Sequence, residues 1–278
     1  MTAISFFLLL FIVGYVAGVL GALTGLGGGI VLTPVLVLLL DVNIYYAMGV
    51  SIIAVITTSS GTAIAYLRDG YTSLRIGMFL ETAAVVGAII GACIIALINT
   101  HTLSIIFGLV LLLSAYLSWH RVEEDEYDQP SHPWALAMQL EGDYPVFGRM
   151  QHYAVQGVPL AWGLMLIAGI LSSLLGIGAG VLKVLAMDHI MRLPYKVATA
   201  TSNFIIGITA TVSVGIYFSR GFVNAELTAP AVMGVLFGSI TGAAVLRYTH
   251  VKTLRGVFSI VVFLLALEMI YKGLIGAI

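Results

Sequence analysis

Two five-residue runs have the composition to hold an ion without any charged side chain: Gly25-Leu26-Gly27-Gly28-Gly29 and Gly176-Ile177-Gly178-Ala179-Gly180. Glycine admits backbone conformations closed to other residues and leaves neighbouring N–H groups unobstructed. A helix that starts at such a break presents unpaired N–H donors and the positive end of its dipole. That combination suits an anion, with Gly27, Gly28, Gly29, Gly178, Ala179 and Gly180 as the predicted binding backbone. The plainer reading is that these glycines only let helices pack closely. A dinucleotide loop is excluded, because it needs a strand before the glycines and a soluble βαβ unit around them.

Lys183 stands three residues past Gly180, inside an apolar segment. An ionisable residue at that depth costs at least about 2.5 kcal/mol on insertion scales and marks function by default. Three partners are open to it: an anionic substrate, Asp188 five residues on, or the interface, reached by snorkelling. A polar load follows each glycine segment. The first copy has Ser51, Thr57, Thr58, Ser59, Ser60 and Thr62; the second has Thr199, Thr201, Ser202, Asn203, Thr209, Thr211 and Ser213. Hydroxyls satisfy themselves on their own helix carbonyls, whereas the Asn203 amide needs partners. Ser51, Ser202 and Asn203 are therefore read as lining the path. Glu81 and Glu268 are read as snorkelling or helix-end residues rather than proton relays. The 6 histidines show no metal spacing, and no catalytic triad is recognisable. The expectation is a non-enzyme with no cofactor and no metal.

The elements that position these residues are membrane helices. Hydrophobic residues make up 60% of the chain and charged residues 9%, with mean hydropathy +1.08. A soluble domain carries about 25% charged residues, so the predicted fold class is an all-α polytopic membrane protein. A β-barrel would show alternating segments of about ten residues. Instead the apolar segments run Ile4–Leu23, Leu26–Leu40, Ile44–Leu67, Leu74–Ile98 and Leu103–Trp119, then Val158–Leu175, Ile177–Ile190, Tyr195–Phe218, Leu227–Tyr248 and Leu254–Tyr271. The second segment of each set is about 15 residues, or roughly 22 Å of helix, short of the roughly 30 Å hydrocarbon core. These two are predicted to be half-helices or arms of a re-entrant hairpin. Ile4–Leu23 exceeds a signal-peptide core and lacks a basic lead, so it reads as a retained helix. The single cysteine, Cys93, excludes an internal disulfide.

The two sets are copies. Shifted by 151 positions, Gly18, Gly25, Gly27 and Gly29 fall on Gly169, Gly176, Gly178 and Gly180. Ser51, Thr58, Tyr66 and Gly70 fall on Ser202, Thr209, Tyr217 and Gly221, and Gly87 and Gly91 on Gly238 and Gly242. Such register over a hundred residues is a duplication. The predicted divisions are a first repeat over 1–120, an acidic linker over 121–157 and a second repeat over 158–278. An odd number of crossings per copy gathers nine Lys and Arg on one face against two on the other, with Lys183 set aside; an even number gives five against six. Because positive residues concentrate on the cytoplasmic side, the copies are predicted to be inverted, with both termini outside and the linker inside.

Taken together, Gly25–Pro34 (GLGGGIVLTP), Gly176–Lys183 (GIGAGVLK), Ala47–Ser51 (AMGVS) and Ala198–Asn203 (ATATSN) resemble the sulfite exporter TauE/SafE family. The resemblance covers nearly the whole chain outside the linker. It implies a permease of small sulfur-containing anions such as sulfite or sulfoacetate, often working outward. The second copy departs from the pattern with Ala179 where the first has Gly28, and Leu185 where it has Pro34.

The function expected is a secondary carrier in the cell membrane, moving such an anion by alternating access around a midplane site at the glycine breaks. A passive anion channel, or a permease for another small anion, is the alternative. No Walker motif supplies nucleotide energy. The expected partners are the anion and the lipid bilayer, with no nucleic acid; a homodimer is an assembly the sequence allows.

Overall fold

The computed structural model describes residues 3–119, 130–146, 149–246 and 251–276. In the first copy, α1 spans Ala3–Thr24, α2 Gly29–Leu39, α3 Ile44–Arg68, α4 Leu74–Ile94 and α5 Thr100–Trp119. A short helix α6 (Pro133–Ala137) and a hairpin of β1 (Gly142–Val146) and β2 (Arg149–Tyr153) follow. The second copy holds α7 (Val158–Leu175), α8 (Gly180–Leu185), α9 (Tyr195–Ser219), α10 (Ala225–Leu246) and α11 (Val251–Ile275). Each predicted apolar segment is built on one α-helix, with a 3-10 turn over Ile95–Leu97 after α4, because buried in lipid a backbone must satisfy its own N–H and C=O groups.

Among the described residues, α1, α3, α4, α7, α9 and α10 are long and apolar enough to cross a membrane. The protein is an all-α polytopic membrane protein. The α2 helix has only 11 residues, about 16 Å of helix, half of the roughly 30 Å core. The α8 helix is shorter, with 6 residues that continue into a π turn over Ala186–Ile190. Both are half-helices, and each starts three residues later than its apolar run because the glycines before it form a turn.

The longest helix contacts run between the copies. Helix α1 lies along α10, α7 along α4, α5 along α11 and α3 along α9. Small residues make this possible. A Cβ on Gly18 would sit 2.4 Å from the Val235 carbonyl oxygen, and one on its counterpart Gly169 would sit 2.1 Å from that of Ala84. Ala84 is itself the counterpart of Val235. Gly238 meets Tyr15 and Gly87 meets Leu166 in the same reciprocal way. Lipid offers no hydrophobic drive between helices, so this backbone-to-backbone packing carries the association. Contacts between α5 and α11 climb one helix while descending the other: Gly108 faces Ala266 and Ile270, and Gly273 faces Ser104 and Ile105. The Tyr66 hydroxyl donates to the Ala22 carbonyl at 2.8 Å, and Tyr217 to the Ser173 carbonyl at 2.7 Å, one bond made twice.

The described part of the linker is folded. Its strands pair antiparallel from Gly142 with Tyr153 to Val146 with Arg149. Ala135, Leu140, Tyr153 and Val155 join Ile76, Leu80, Met187, Met191 and Val197 in one buried cluster. The Gln156 N–H donates to the Met191 carbonyl at 3.1 Å, and Arg75 to the Gln139 carbonyl at 3.1 Å. This unit therefore caps one end of α4, α7 and α9. Burial pushes the Tyr153 phenol up. The acidic run Glu123-Glu124-Asp125-Glu126, with Arg121 and Arg247 of the charge count, lies outside the described residues.

Candidate functional site

Both glycine runs form turns with left-handed backbone: φ is 74° at Gly25, 78° at Gly27, 64° at Gly176 and 76° at Gly178. An L side chain in that region costs roughly 1–2 kcal/mol, which accounts for glycine at those four positions. The fourth residue differs between copies. Gly28 takes an ordinary φ of −65°, whereas Ala179 sits at φ 43° with a side chain in the disfavoured region.

The two turns meet. A Cβ on Gly29 would lie 3.3 Å from the Gly176 carbonyl oxygen, and one on Gly180 2.5 Å from the Leu26 Cα. Gly27 and Gly178 both rest on Val55 and Ile206. Those two residues are repeat counterparts, each near the middle of a 25-residue helix, α3 or α9. All of Gly21–Pro34 and Ser172–Gly180 outside the helix ends is buried. The structure thus brings Gly27, Gly28, Gly29, Gly178, Ala179 and Gly180 into one locus, half-way along the spanning helices. The Gly28 N–H there donates to Thr58 Oγ1 at 3.3 Å.

Lys183 sits on the first turn of α8, with its N–H donating to the Ala179 carbonyl at 3.3 Å. Its side chain is 0% exposed and does not reach an interface. The partner is neither Asp188 nor solvent. Lys183 Nζ lies 3.3 Å from Glu81 Oε2, on α4, and also donates to Thr209 Oγ1, on α9. Thr209 in turn donates to Glu81 Oε1. Three helices therefore close a ring of cation, hydroxyl and carboxylate. Asp188 instead lies beside His189, at 3.6 Å.

This corrects the expectation for Glu81. It is 3% exposed and sits mid-helix, so it neither snorkels nor ends a helix. Apolar surroundings favour keeping a carboxylate only beside a cation, and Lys183 is that cation. Glu268, by contrast, is exposed on α11. Sequence reading missed Glu81 as a member of the site. Its repeat counterpart is Val232 and that of Lys183 is Leu32, so two charges of opposite sign break the repeat together.

The remaining predicted residues all gather on the first turn and the half-helix that follows it. Ser51 accepts from Thr33 Oγ1 at 2.6 Å, next to the start of α2. Ser202 Oγ donates to the Gly25 carbonyl at 2.8 Å, and Asn203 Nδ2 to the Ala22 carbonyl at 3.1 Å. Both thus face the first turn, although they belong to the second copy. Asn203 Oδ1 and Thr199 Oγ1 are buried and have no hydrogen-bond partner among the described residues. Thr199 also lies against Gly25. Buried polar atoms are nearly always satisfied, so two orphans beside a glycine turn mark a place for a further polar group. No group of three or more His, Cys, Asp or Glu placed to hold a metal occurs among the described residues.

Comparison with known proteins agrees with this architecture. The chain is 30% identical over 275 residues to the probable membrane transporter protein YunE of Bacillus subtilis, covering 96% of this chain and 98% of that one. It is 25% identical over 237 residues to the probable membrane transporter protein YdhB of the same organism, covering 85% and 87%. It is 24% identical to the probable membrane transporter protein MJ0441 of Methanocaldococcus jannaschii, covering 94% of each. No solved structure matches the chain. The profile of the family described as Sulfite exporter TauE/SafE matches residues 10–269. The protein is an integral membrane transporter, and it belongs to the TauE/SafE sulfite exporter family.

Proposed function

We propose that this transporter is a secondary carrier of a small sulfur-containing anion, sulfite or an organosulfonate such as sulfoacetate, working by alternating access and moving its substrate outward. The observation that carries the reading is the meeting of the two glycine turns half-way along α3 and α9, with Lys183 on the first turn behind one of them. Broken helices meeting mid-membrane are the recurrent site of carriers built from repeats. The donors for an anion are the turn N–H groups of Gly27, Gly29 and Gly178–Gly180, the orphan Thr199 hydroxyl and the Lys183 ammonium, with the Gly28 N–H held by Thr58. Ser51, Ser202 and Asn203 hold the turns and flank the path.

Inversion of the copies is part of this reading. Supporting it are the antiparallel run of α5 and α11, which are repeat counterparts, and the nine-to-two charge count. Both termini then face away from the cytoplasm and the linker faces it. Reporter fusions placing the C-terminus inside would reject this orientation.

The direct test is transport by purified protein in liposomes, with sulfite, thiosulfate, sulfoacetate and taurine as the panel. Flux is expected for at least one of the first three and not for taurine, whose ammonium is repelled by Lys183. In Gly178→Leu the new side chain meets Ile206, where even a Cβ would lie at 2.8 Å. That variant should lose transport while remaining monodisperse. Unchanged transport would move the site elsewhere.

A further inference from the structure

The ring of Glu81, Thr209 and Lys183 is electrically neutral and has one carboxylate and one ammonium. No other described charge from the elements packed on Glu81 competes for it. Helix α7 carries no titratable side chain. On α9, Tyr195 and Lys196 stand at the first two positions and Tyr217 in the last turn. After α8, Asp188 and His189 lie beside each other. On α4 itself, Arg75 and Cys93 lie near opposite ends.

We propose, resting on the anion-carrier reading above, that Glu81 couples transport to protons: an arriving anion takes Lys183 from the Glu81 carboxylate, which then takes up a proton and carries it across with the anion. The argument is charge balance in a medium where an uncompensated ion costs several kcal/mol. The empty ring is neutral, as Lys⁺ with Glu⁻. An anion alone would leave it at minus one, and a proton alone at plus one. A monoanion and one proton together restore neutrality, and a dianion needs a second proton, so only the empty and the fully neutralised forms move readily. The step is reversible, and outward transport runs on the anion's own outward gradient against any inward proton gradient.

The proton leaves water on the entry side, bonds to a Glu81 carboxyl oxygen, and returns to water on the exit side when Lys183 reclaims the carboxylate. Thr209 suits both states. It donates to ionised Glu81 and has a second acceptor in reach, the Ile205 carbonyl at 3.2 Å, once the carboxyl becomes a donor.

The probe is methanesulfonate, a monoanion that carries no proton of its own at neutral pH. In proteoliposomes holding a pH dye, inward methanesulfonate flux should acidify the lumen by one proton per anion. Its rate should not respond to a membrane potential set with potassium and valinomycin. Glu81→Gln keeps the shape and one acceptor oxygen, presents a donor amide in place of the other as the protonated carboxyl does, and cannot release a proton. It should retain exchange of labelled for unlabelled methanesulfonate while losing acidification and net flux.

Flux that follows the imposed potential without acidification overturns the coupling. Acidification persisting in Glu81→Gln overturns its assignment to Glu81. The wild-type stoichiometry decides the first point even where the variant fails to fold. Absence of wild-type exchange fails the sulfonate-carrier reading itself, and the coupling falls with it.

Discussion

Thr58 and Thr209 are the same residue of the repeat, placed at the same point of α3 and α9, yet they serve different chemistry. Thr58 accepts from the Gly28 N–H at 3.3 Å and donates to its own helix at Ala54. Thr209 links Lys183 and Glu81. At the repeat counterparts of Lys183 and Glu81 stand Leu32, on α2, and Val232, on α10, neither of them charged. One of two matching sites is thus apolar and the other ionic. The scaffold of the two copies is shared, whereas the ion pair, one member from each copy, forms at only one of the two matching sites.

The largest effect should come from unbalancing the ionic site. Glu81→Leu strands a fully buried ammonium and is expected to lose about 3–5 kcal/mol of stability, read as a large drop in unfolding temperature in detergent. Adding Lys183→Leu turns the second site into a copy of the first. That double variant should recover most of the loss, since apolar pairs replace buried ion pairs at little cost, while transport stays absent. Transport surviving in the double variant would mean that the ionic site has no part in it.

The next effects test the shared scaffold. Gly18→Val and Gly169→Val each push a side chain into a facing carbonyl, and overpacking of this kind costs about 1–3 kcal/mol. Because the two contacts are counterparts, the losses should agree with each other. Unequal losses would show that the packing, like the charge, differs between the copies.

The fold was largely legible because its signals are local and repeated. Apolar length marked the spanning helices, and the matched glycines marked the breaks. The folded half of the linker was less so. Its buried residues, such as Ala135, Leu140 and Tyr153, are scattered among polar ones and show no period. Glu81 was misread for a different reason: a lone acid in an apolar run looks the same whether it snorkels or pairs. Its partner is 102 residues away in sequence, and only comparison of the two copies shows that both depart from the repeat.

The smallest expected effect concerns the hydrogen bonds made twice. Tyr66→Phe and Tyr217→Phe should each cost about 0.5–1.5 kcal/mol, with matching shifts in thermal unfolding. A larger loss at Tyr217, whose acceptor Ser173 also bonds Ser213 through its side chain, would extend the asymmetry beyond the charges.

The reciprocal packing has a consequence for how the chain is held together. Helices α1, α4 and α5 each find their principal neighbour in the other copy, so neither half is a self-sufficient folding unit. The linker then acts as a tether, replacing a bimolecular encounter with an effective local concentration on the order of millimolar. Cutting it in the acidic run should leave two fragments that stay associated in the bilayer when made together, and that are degraded when made apart.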